Sequence, residues 1–253
     1  KRYADREFDF HAGVYHNDPP DVSGRDVYLV DFSYKRPVVE RMREQATRLV
    51  LIDHHKTAID DLAPLIESKQ IESLVSLEHS GAVLAWRWFN GYHDDDMPRL
   101  LRHIEDRDLW RFSLQRTREI QACVFSHPYD FAVWDELMQT DPQKLAEEGA
   151  AIERKHHKDI AELTKVCTRD FTIGGYTVPV ANLPYTLTSD AGHLLAQGKP
   201  FAGCYWDTPE GRVFSLRSTD DGLDVSEIAE QYGGGGHTHA SGFRVPYGHE
   251  LAR

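Results

Sequence analysis

The sequence predicts an α/β protein with two domains, in which a parallel-sheet domain is joined by a helical connector to a smaller mixed α/β domain. Three observations support this prediction. Two short apolar runs each end in an aspartate, a long segment rich in Ala, Glu and Lys follows the middle of the chain, and the last third has a strand-like composition. A length of 253 residues suffices for two modest domains. The expected bounds are 1–135 for the first domain, 136–166 for the connector and 167–253 for the second domain.

The composition limits the possible functions. A content of 40% hydrophobic and 28% charged residues is typical of a soluble globular protein, and no apolar run approaches the ~20 residues that span a membrane. The formal net charge of -12 argues against a protein that coats long duplex nucleic acid. The three cysteines, Cys123, Cys167 and Cys204, form no CxxC pair. We therefore expect neither a disulfide framework nor a zinc ribbon, and we expect a reducing cytoplasm.

The first domain is predicted from its two apolar runs. Residues 27–30 precede Asp31, and residues 49–52 precede Asp53. Continuous apolar character is typical of strands buried on both faces of a parallel sheet, and residues 36–48 are long enough for a crossover helix. Because ligands bind at the carboxyl ends of parallel strands, we expect the two carboxylates to converge at one edge.

Helices are predicted after these strands. Residues 80–90 form an apolar helix that stops near Gly91, and residues 100–110 form a second helical stretch. Residues 141–165 form a long solvated helix, with Pro142 near its start, that connects the domains.

The second domain is predicted to be richer in strands. Gly174 and Gly175 separate two β-rich runs, which indicates a hairpin. Further strands are expected at residues 200–206 and 212–216.

The strongest chemical signal is the triplet Asp53-His54-His55 at the end of a predicted buried strand. Imidazole with carboxylate suits Mn²⁺, Zn²⁺ or Fe²⁺, whereas carboxylate and water alone suit Mg²⁺. A histidine pair by itself is weak support, because His156-His157 lies in the predicted connector, where solvent exposure is expected. The position of the triplet beside Asp31 at one sheet edge raises the case for a metal site, but by itself it leaves structural roles for these residues equally open.

Four segments carry a family resemblance. VYLVDFS, LVLIDHHKTA, IEDRDLW and GGGGHTHASGF occur in the order of the DHH superfamily of phosphoesterases, which the sequence resembles over nearly its whole length. That superfamily includes RecJ-like exonucleases, family II inorganic pyrophosphatases, exopolyphosphatases, cyclic-dinucleotide phosphodiesterases and nanoRNases. The pairing of DHH with a distant GGGH and SGF is the specific part. The resemblance implies a DHH domain, a DHH-associated domain and phosphoester hydrolysis in a cleft between them.

The resemblance also implies roles for the first domain's polar residues. Asp31 would bridge two divalent metals and His54 would bind one of them. Asp53 would orient this metal cluster by contacting the ligands rather than the metals. His55 would lie beside the scissile phosphate.

The fourth family motif implies a further bridging carboxylate, Asp106. Asp108 is the alternative, because residues i and i+2 of a helix do not face the same way.

In the second domain the resemblance implies a phosphate-binding group. Arg217 and His237 match positions that bind substrate phosphate, and arginine forms paired hydrogen bonds with phosphate oxygens. The backbone N–H groups of a glycine run can approach an anion closely, so the substrate-binding set includes Gly234, Gly235 and Gly236. Each feature alone would indicate a flexible turn or a surface charge.

These parts imply a two-metal mechanism with Mn²⁺, or Mg²⁺, as cofactor. The metals would lower the pKa of a bridging water, while His55 and Arg217 stabilise charge on the phosphate. The tryptophan-bearing EDRDLW and the compact second domain weakly favour the oligonucleotide-trimming and nanoRNase branch. Stacking of a terminal base on an aromatic side chain would fit short single-stranded substrates. A pyrophosphate or polyphosphate phosphohydrolase and a non-catalytic phosphate- or nucleotide-binding module are the alternatives. The substrate and the oligomeric state, with a homodimer as one option, stay open.

One family motif has no counterpart. The superfamily begins with an HxxxD-type motif that should precede Asp31 by a helix and a strand, and none is found there. Residues 1–6 resemble the end of that helix and residues 8–16 the strand, whereas His11 and His16 lack the spacing to replace the lost ligands. We therefore expect an N-terminally truncated domain that is weakly active or inactive as given.

Overall fold

The fold is described from a computed structural model, which defines residues 7–15 and 17–253. The chain divides into two compact units, the first ending at Glu153 and the second beginning at Arg154. The first unit contains a three-stranded parallel sheet and the second a six-stranded mixed sheet. The predicted α/β fold class is therefore confirmed.

The sheet of the first unit has the order β1-β2-β3, with strands β1 (Asp26–Val30), β2 (Arg48–Asp53) and β3 (Glu72–Val75). Helices α1 (Arg36–Gln45) and α2 (Lys56–Glu67) connect them. Leu49 and Leu51 of β2 pack with α1 and α2, whereas Val50 and Ile52 pack with Leu84 on a different helix. Both faces of β2 are covered, which explains its uninterrupted apolar sequence.

Helices make up the rest of the first unit. Ser80 caps the first of them, since its side chain accepts a hydrogen bond from the Val83 N–H, and Asp130 caps the fourth in the same way. A shared core of Leu100, Ile120 and Leu137 packs the later helices together. The helices are α3 (Gly81–Asn90), α4 (Arg99–Asp108), α5 (Thr117–Val124), α6 (Phe131–Gln139) and the first part of α7 (Pro142–Cys167), which continues past Glu153 into the second unit.

The N-terminal strand expected over residues 8–16 is not found, because residues 8–15 have no strand conformation. Side-chain packing holds this segment instead of a hydrogen-bonded ladder: the Phe8 ring lies 6.3 Å from that of Tyr28 and 6.0 Å from that of Phe89. The expected helix end at residues 1–6 and the candidate ligand His16 lie outside the described residues.

The second unit is built on a sheet of order β4-β5-β6-β7-β9-β8, in which only β5 and β6 pair in parallel. The predicted hairpin at Gly174-Gly175 forms, and both glycines adopt positive φ. Phe201, Phe214 and Leu216 are fully buried in its core. The elements are β4 (Thr168–Ile173), β5 (Tyr176–Asn182), α8 (Thr188–Ala196), β6 (Ala202–Thr208), β7 (Gly211–Arg217), α9 (Val225–Glu230), β8 (Gly235–His237) and β9 (Ala240–Val245).

Helix α7 forms as predicted, but one part of it is less solvated than expected. His156 is half-buried rather than exposed, because its Nε2 lies 3.0 Å from Oδ2 of Asp190 on α8. His157 is exposed. The His156-His157 pair thus has a structural contact within the second unit.

All three cysteines are free, with Cys123 and Cys204 buried.

Within residues 7–15 and 17–253, no helix has both the length and the apolar character needed to cross a membrane. The cytoplasmic location stays a prediction.

Candidate functional site

The DHH triplet lies at the carboxyl end of the central strand β2, where Asp53 organises the residues that follow. Its Oδ1 accepts hydrogen bonds from the backbone N–H groups of His54, at 2.7 Å, and His55, at 3.1 Å. The same oxygen lies 2.7 Å from Nδ1 of His55. Asp53 is fully buried. It therefore fixes both the chain direction after the strand and the ring of His55.

His54 is the centre of a group that includes two carboxylates. Its Nε2 lies 3.1 Å from Oδ1 of Asp31 and 3.4 Å from Oδ2 of Asp108. The imidazole is 2% exposed, whereas the two carboxylates are 50% and 38% exposed. His54 follows β2, Asp31 follows β1 and Asp108 ends α4. Their side chains thus converge at one edge of the parallel sheet, where the sequence predicted Asp31 and the triplet to meet.

Asp31 reaches this position through an unusual backbone conformation. Its φ of 55° lies in the left-handed region, which non-glycine residues seldom adopt. Its N–H continues the ladder by donating to the carbonyl of Ile52 at 2.8 Å. Gly81, the first residue of α3, leaves room for the side chain, since a β-carbon there would lie 2.5 Å from Cγ of Asp31.

The start of α3 is itself held by α4. Glu105 accepts a hydrogen bond from the Ser80 N–H at 3.0 Å, and its Oε2 lies 3.2 Å from Nδ1 of His79. Glu105 thus fixes the turn that carries Gly81 beside Asp31. Glu105, Ser80 and Gly81 were not predicted from the sequence, although a Ser-Gly pair at a helix start is a usable signal.

The structure places Asp106 away from the His54 group. This carboxylate is 3% exposed and lies on the opposite side of α4 from the His54 group. Its Oδ1 accepts from the N–H and hydroxyl of Ser113, and its Oδ2 from the N–H of Leu114 and the hydroxyl of Thr117. Asp106 organises the loop between α4 and α5, and Asp108 is the residue beside His54.

Burial and neighbouring charges shift the pKa values of His55 and Asp108 at this site. Burial lowers the pKa of His55, but the hydrogen bond with Asp53 and the charges of Asp53, Asp31 and Asp108 outweigh burial and raise that pKa. Partial burial raises the pKa of Asp108, the charge of Asp31 adds to this effect, and His54 opposes it. Two carboxylates held close together favour a bound cation that would offset their repulsion.

These residues fit a divalent metal ion. Ligand atoms of Asp31, Asp53 and His55 lie within 4.8 Å of one another, and Asp31 and Asp108 both face His54. Oδ2 of Asp53 is buried and accepts no hydrogen bond from the described residues. One imidazole with two carboxylates is a donor set that suits Mn²⁺, Zn²⁺ or Fe²⁺.

In the second unit, Arg217 lies at the end of β7 and is held in place by hydroxyl groups. Its guanidinium donates to Ser215 Oγ at 2.9 Å, to the Leu216 carbonyl at 2.8 Å and to Ser189 Oγ of α8 at 2.8 Å. Arg217 pairs with Ala240, and Ala240 pairs with His237. Because directly paired residues share a sheet face, the side chains of Arg217 and His237 lie on the same face.

The glycine run has a structural role that the sequence analysis did not predict. A β-carbon at Gly236 would lie 2.6 Å from the Ala240 carbonyl oxygen, and one at Gly234 would lie 2.7 Å from Cβ of Phe243. The Gly234 N–H donates to the carbonyl of Ala229, so it does not serve an anion. Close packing of β8 on β9 thus explains these glycines.

No family model matches the chain, but two known proteins resemble it in sequence. It is 30% identical over 231 residues to the uncharacterized protein R106 of Acanthamoeba polyphaga mimivirus, a match that covers 87% of this chain and 53% of that protein. It is 25% identical over 241 residues to oligoribonuclease NrnB of Bacillus subtilis (strain 168), covering 87% of this chain and 59% of that protein. The chain thus spans little more than half the length of these relatives.

A solved structure shows the same fold. A DHH domain described as belonging to a member of the s1p family of ribosomal proteins superposes with a TM-score of 0.54 and 13% sequence identity. The match covers 89% of this chain and 67% of that chain. The likeness therefore extends over both units of the chain.

Proposed function

We propose that this chain is a member of the DHH superfamily of phosphoesterases and a divalent-metal-dependent hydrolase that cleaves phosphodiester bonds in short oligonucleotides or small nucleotides. The observation that carries the proposal is the convergence of the Asp31 and Asp108 carboxylates on Nε2 of His54. Further support comes from the relative named oligoribonuclease NrnB, which matches 87% of this chain.

Three residues would hold the metal in this proposal: Asp31, His54 and Asp108. Bound divalent ions would lower the pKa of a water molecule and offset charge on the leaving oxygen. Asp53, through its Oδ1, would keep the strand end and His55 in place, which preorganises the ligands. Asp106 has no ligand role here, because its four acceptor sites are used by the loop after α4.

One residue in each unit is assigned to phosphate binding, His55 in the first unit and Arg217 in the second. Asp53 holds His55 through Nδ1, so Nε2 is the nitrogen with which His55 would donate to a phosphate oxygen. Arg217 would bind a phosphate through its planar guanidinium, and Ser189 and Ser215 limit its rotation. His237 would contribute a second donor on the same sheet face.

We propose Mn²⁺ rather than Mg²⁺ as the preferred ion. The donor set combines an imidazole with carboxylates, whereas Mg²⁺ in proteins prefers oxygen ligands and retains several waters. A comparison of the two ions at equal concentration tests this preference.

The test is hydrolysis of a substrate panel by the purified chain with Mn²⁺. The panel contains a dinucleotide, a short single-stranded oligonucleotide, a cyclic dinucleotide, phosphoadenosine phosphate and pyrophosphate, and Mn²⁺ binding is measured alongside by calorimetry. His54→Ala is the test variant. His157→Ala is the matched control, because it changes the exposed histidine of a second His-His pair.

The expected result is Mn²⁺ binding and release of nucleoside monophosphate from the short substrates, both lost in His54→Ala and kept in His157→Ala. Hydrolysis of pyrophosphate alone would favour a phosphoanhydride hydrolase. Tight nucleotide binding without any hydrolysis would favour a binding module, and full activity in His54→Ala would exclude the metal group described here.

A further inference from the structure

A second group of metal-ligating side chains lies in the first unit, apart from the DHH triplet. One ligand atom each of Cys123, His127 and Glu148 lies within 4.8 Å of the other two. Cys123 is in the last turn of α5, His127 follows that helix, and Glu148 lies on α7. These three residues, here called the thiol cluster, combine a thiol, an imidazole and a carboxylate.

Local backbone geometry places two members of the thiol cluster together. After α5, the N–H of Ser126 donates to the carbonyl of Cys123 at 3.0 Å, and that of His127 to Val124 at 3.2 Å. The chain therefore makes one more helix-like turn. Residues four apart on such a turn lie on the same side, so His127 comes beside Cys123.

A close contact between α5 and α7 brings the third member, Glu148, to the thiol cluster. A β-carbon at Gly149 would lie 2.9 Å from the backbone nitrogen of Cys123 and 2.7 Å from the carbonyl carbon of Glu119. Gly149 thus lets α7 approach the backbone of α5 more closely than any other residue could. The neighbouring residue, Glu148, is brought to the thiol as a result.

The thiol cluster lies at the boundary between core and solvent. Cys123 is fully buried in the apolar cluster with Ile120 and Leu145, whereas the side chains of His127 and Glu148 are 33% and 61% exposed. Burial raises the pKa of the Cys123 thiol to about 11, and the charge and hydrogen bond of Glu148 add to that effect. Without a cation, the thiol is therefore kept protonated beside a carboxylate.

We propose that the thiol cluster binds one Zn²⁺ ion, with Cys123, His127 and Glu148 as ligands and a water molecule in the fourth position. Thiolate and imidazole are ligands that select Zn²⁺ among the common divalent ions, and carboxylate oxygen is a usual third donor. Magnesium and calcium are disfavoured, because both prefer oxygen ligands.

The distances are compatible with this ion after a small movement. Zn–S bonds of about 2.3 Å and Zn–N or Zn–O bonds of about 2.0–2.2 Å place tetrahedral donor atoms roughly 3.3–3.6 Å apart. The donor atoms lie within 4.8 Å of one another, so the contraction needed is at most about 1.5 Å. Rotation of the exposed Glu148 and His127 side chains can supply that contraction while the buried Cys123 stays in place.

Binding has a defined proton balance. The thiol of Cys123 loses its proton to the solvent as the Zn–S bond forms, and neutral His127 binds through a ring nitrogen. One proton is thus released per ion, or more where His127 starts protonated. The ion would join α5 to α7, and no step of the proposed hydrolysis depends on it.

The test uses Co²⁺ as a spectroscopic substitute for Zn²⁺. A cysteine-bound Co²⁺ ion has a sulfur-to-cobalt charge-transfer absorption in the near ultraviolet, and the DHH triplet with Asp31 and Asp108 contains no sulfur ligand. The absorption therefore reports on the thiol cluster alone. At saturation the absorption should have the amplitude of one cysteine-bound Co²⁺ ion per chain, whatever Co²⁺ the DHH triplet also binds, and Zn²⁺ should abolish it by displacement.

Variants identify the ligands. Cys123→Ser should lose the absorption, and Cys167→Ser, which changes a half-buried cysteine at the end of α7, should keep it. Absence of the absorption in the unaltered chain, or its persistence in Cys123→Ser, would overturn the proposal. If Cys123→Ser fails to fold, Glu148→Gln and His127→Gln decide. Each should weaken Co²⁺ binding about tenfold or more, and unchanged affinity in both would overturn the proposal.

Discussion

Gly81 at the start of α3 provides the space that the carboxylate of Asp31 occupies, because a β-carbon at position 81 would lie 2.5 Å from Cγ of Asp31. Asp31 is in turn 3.1 Å from His54 Nε2. A glycine that binds nothing thus determines where a proposed metal ligand lies.

The first prediction concerns Gly81→Ala. The added methyl group should displace the Asp31 side chain, so Mn²⁺ affinity should fall about tenfold or more while the fold is retained, as for loss of groups that position ligands. Calorimetric titration with Mn²⁺ measures the change. Gly248→Ala is the matched control, because a β-carbon there meets no atom within 4 Å. Equal affinities for the two variants would contradict the role of Gly81.

The second prediction separates Asp108 from Asp106. Asp108→Asn should abolish most Mn²⁺ binding with little effect on the metal-free protein, because it also removes the repulsion from Asp31 that raises the pKa of Asp108. Asp106→Asn should instead lower stability by about 1–3 kcal/mol, since one oxygen that accepts two hydrogen bonds becomes a donor. Thermal unfolding and Mn²⁺ titration of both variants measure these effects. Loss of Mn²⁺ binding in a stable Asp106→Asn variant would return Asp106 to the ligand group.

The third prediction concerns Gly192 on α8. A β-carbon there would lie 2.7 Å from Cγ of Arg217, so Gly192→Ala should displace the arginine from its hydroxyl partners. We expect KM for a short oligonucleotide to rise about fivefold or more, with Mn²⁺ affinity unchanged, because a misplaced donor weakens phosphate binding. Steady-state kinetics at saturating Mn²⁺ measures this. An unchanged KM would argue against phosphate binding by Arg217.

The fourth prediction is a pH dependence in the second unit. The hydrogen bond from Arg212 lowers the pKa of Asp207, with N–O distances of 2.8 Å and 3.2 Å. A lowered folded-state pKa stabilises the protein above the unfolded value of about 3.9, and this contribution is lost as the pH falls through the folded value. Asp207→Asn should therefore cost roughly 0.5–1 kcal/mol at neutral pH, a modest value because the carboxylate is half-exposed.

Urea unfolding between neutral and acidic pH tests this dependence. The difference between Asp207→Asn and the unaltered chain should shrink as the pH falls below about 4. Asp221→Asn, at an exposed position, serves as the control. A difference that persists at low pH would assign the effect of the substitution to packing.

Much of the first unit could be predicted because its signals are local. Residues 27–30 and 49–52 are apolar without interruption, and a strand covered on both faces requires that pattern. The prediction of a strand at residues 8–16 was wrong over residues 8–15. Aromatic residues there resemble a strand sequence, but Phe8 contacts the rings of Tyr28 and Phe89 instead of forming a ladder.

The sequence by itself determined the α/β class, the positions of β1 and β2, the hairpin at Gly174-Gly175 and the placement of Asp31 beside the triplet, because each depends on periodicity or on residues near in sequence. Only the tertiary structure showed that Asp108 rather than Asp106 faces His54, since helix phase and the hydrogen bonds of a later loop orient these side chains. The tertiary structure also showed that Gly81 leaves room for the Asp31 side chain. That residue meets Asp31 across 50 positions of the chain, and such long-range packing leaves no periodic signal in the sequence.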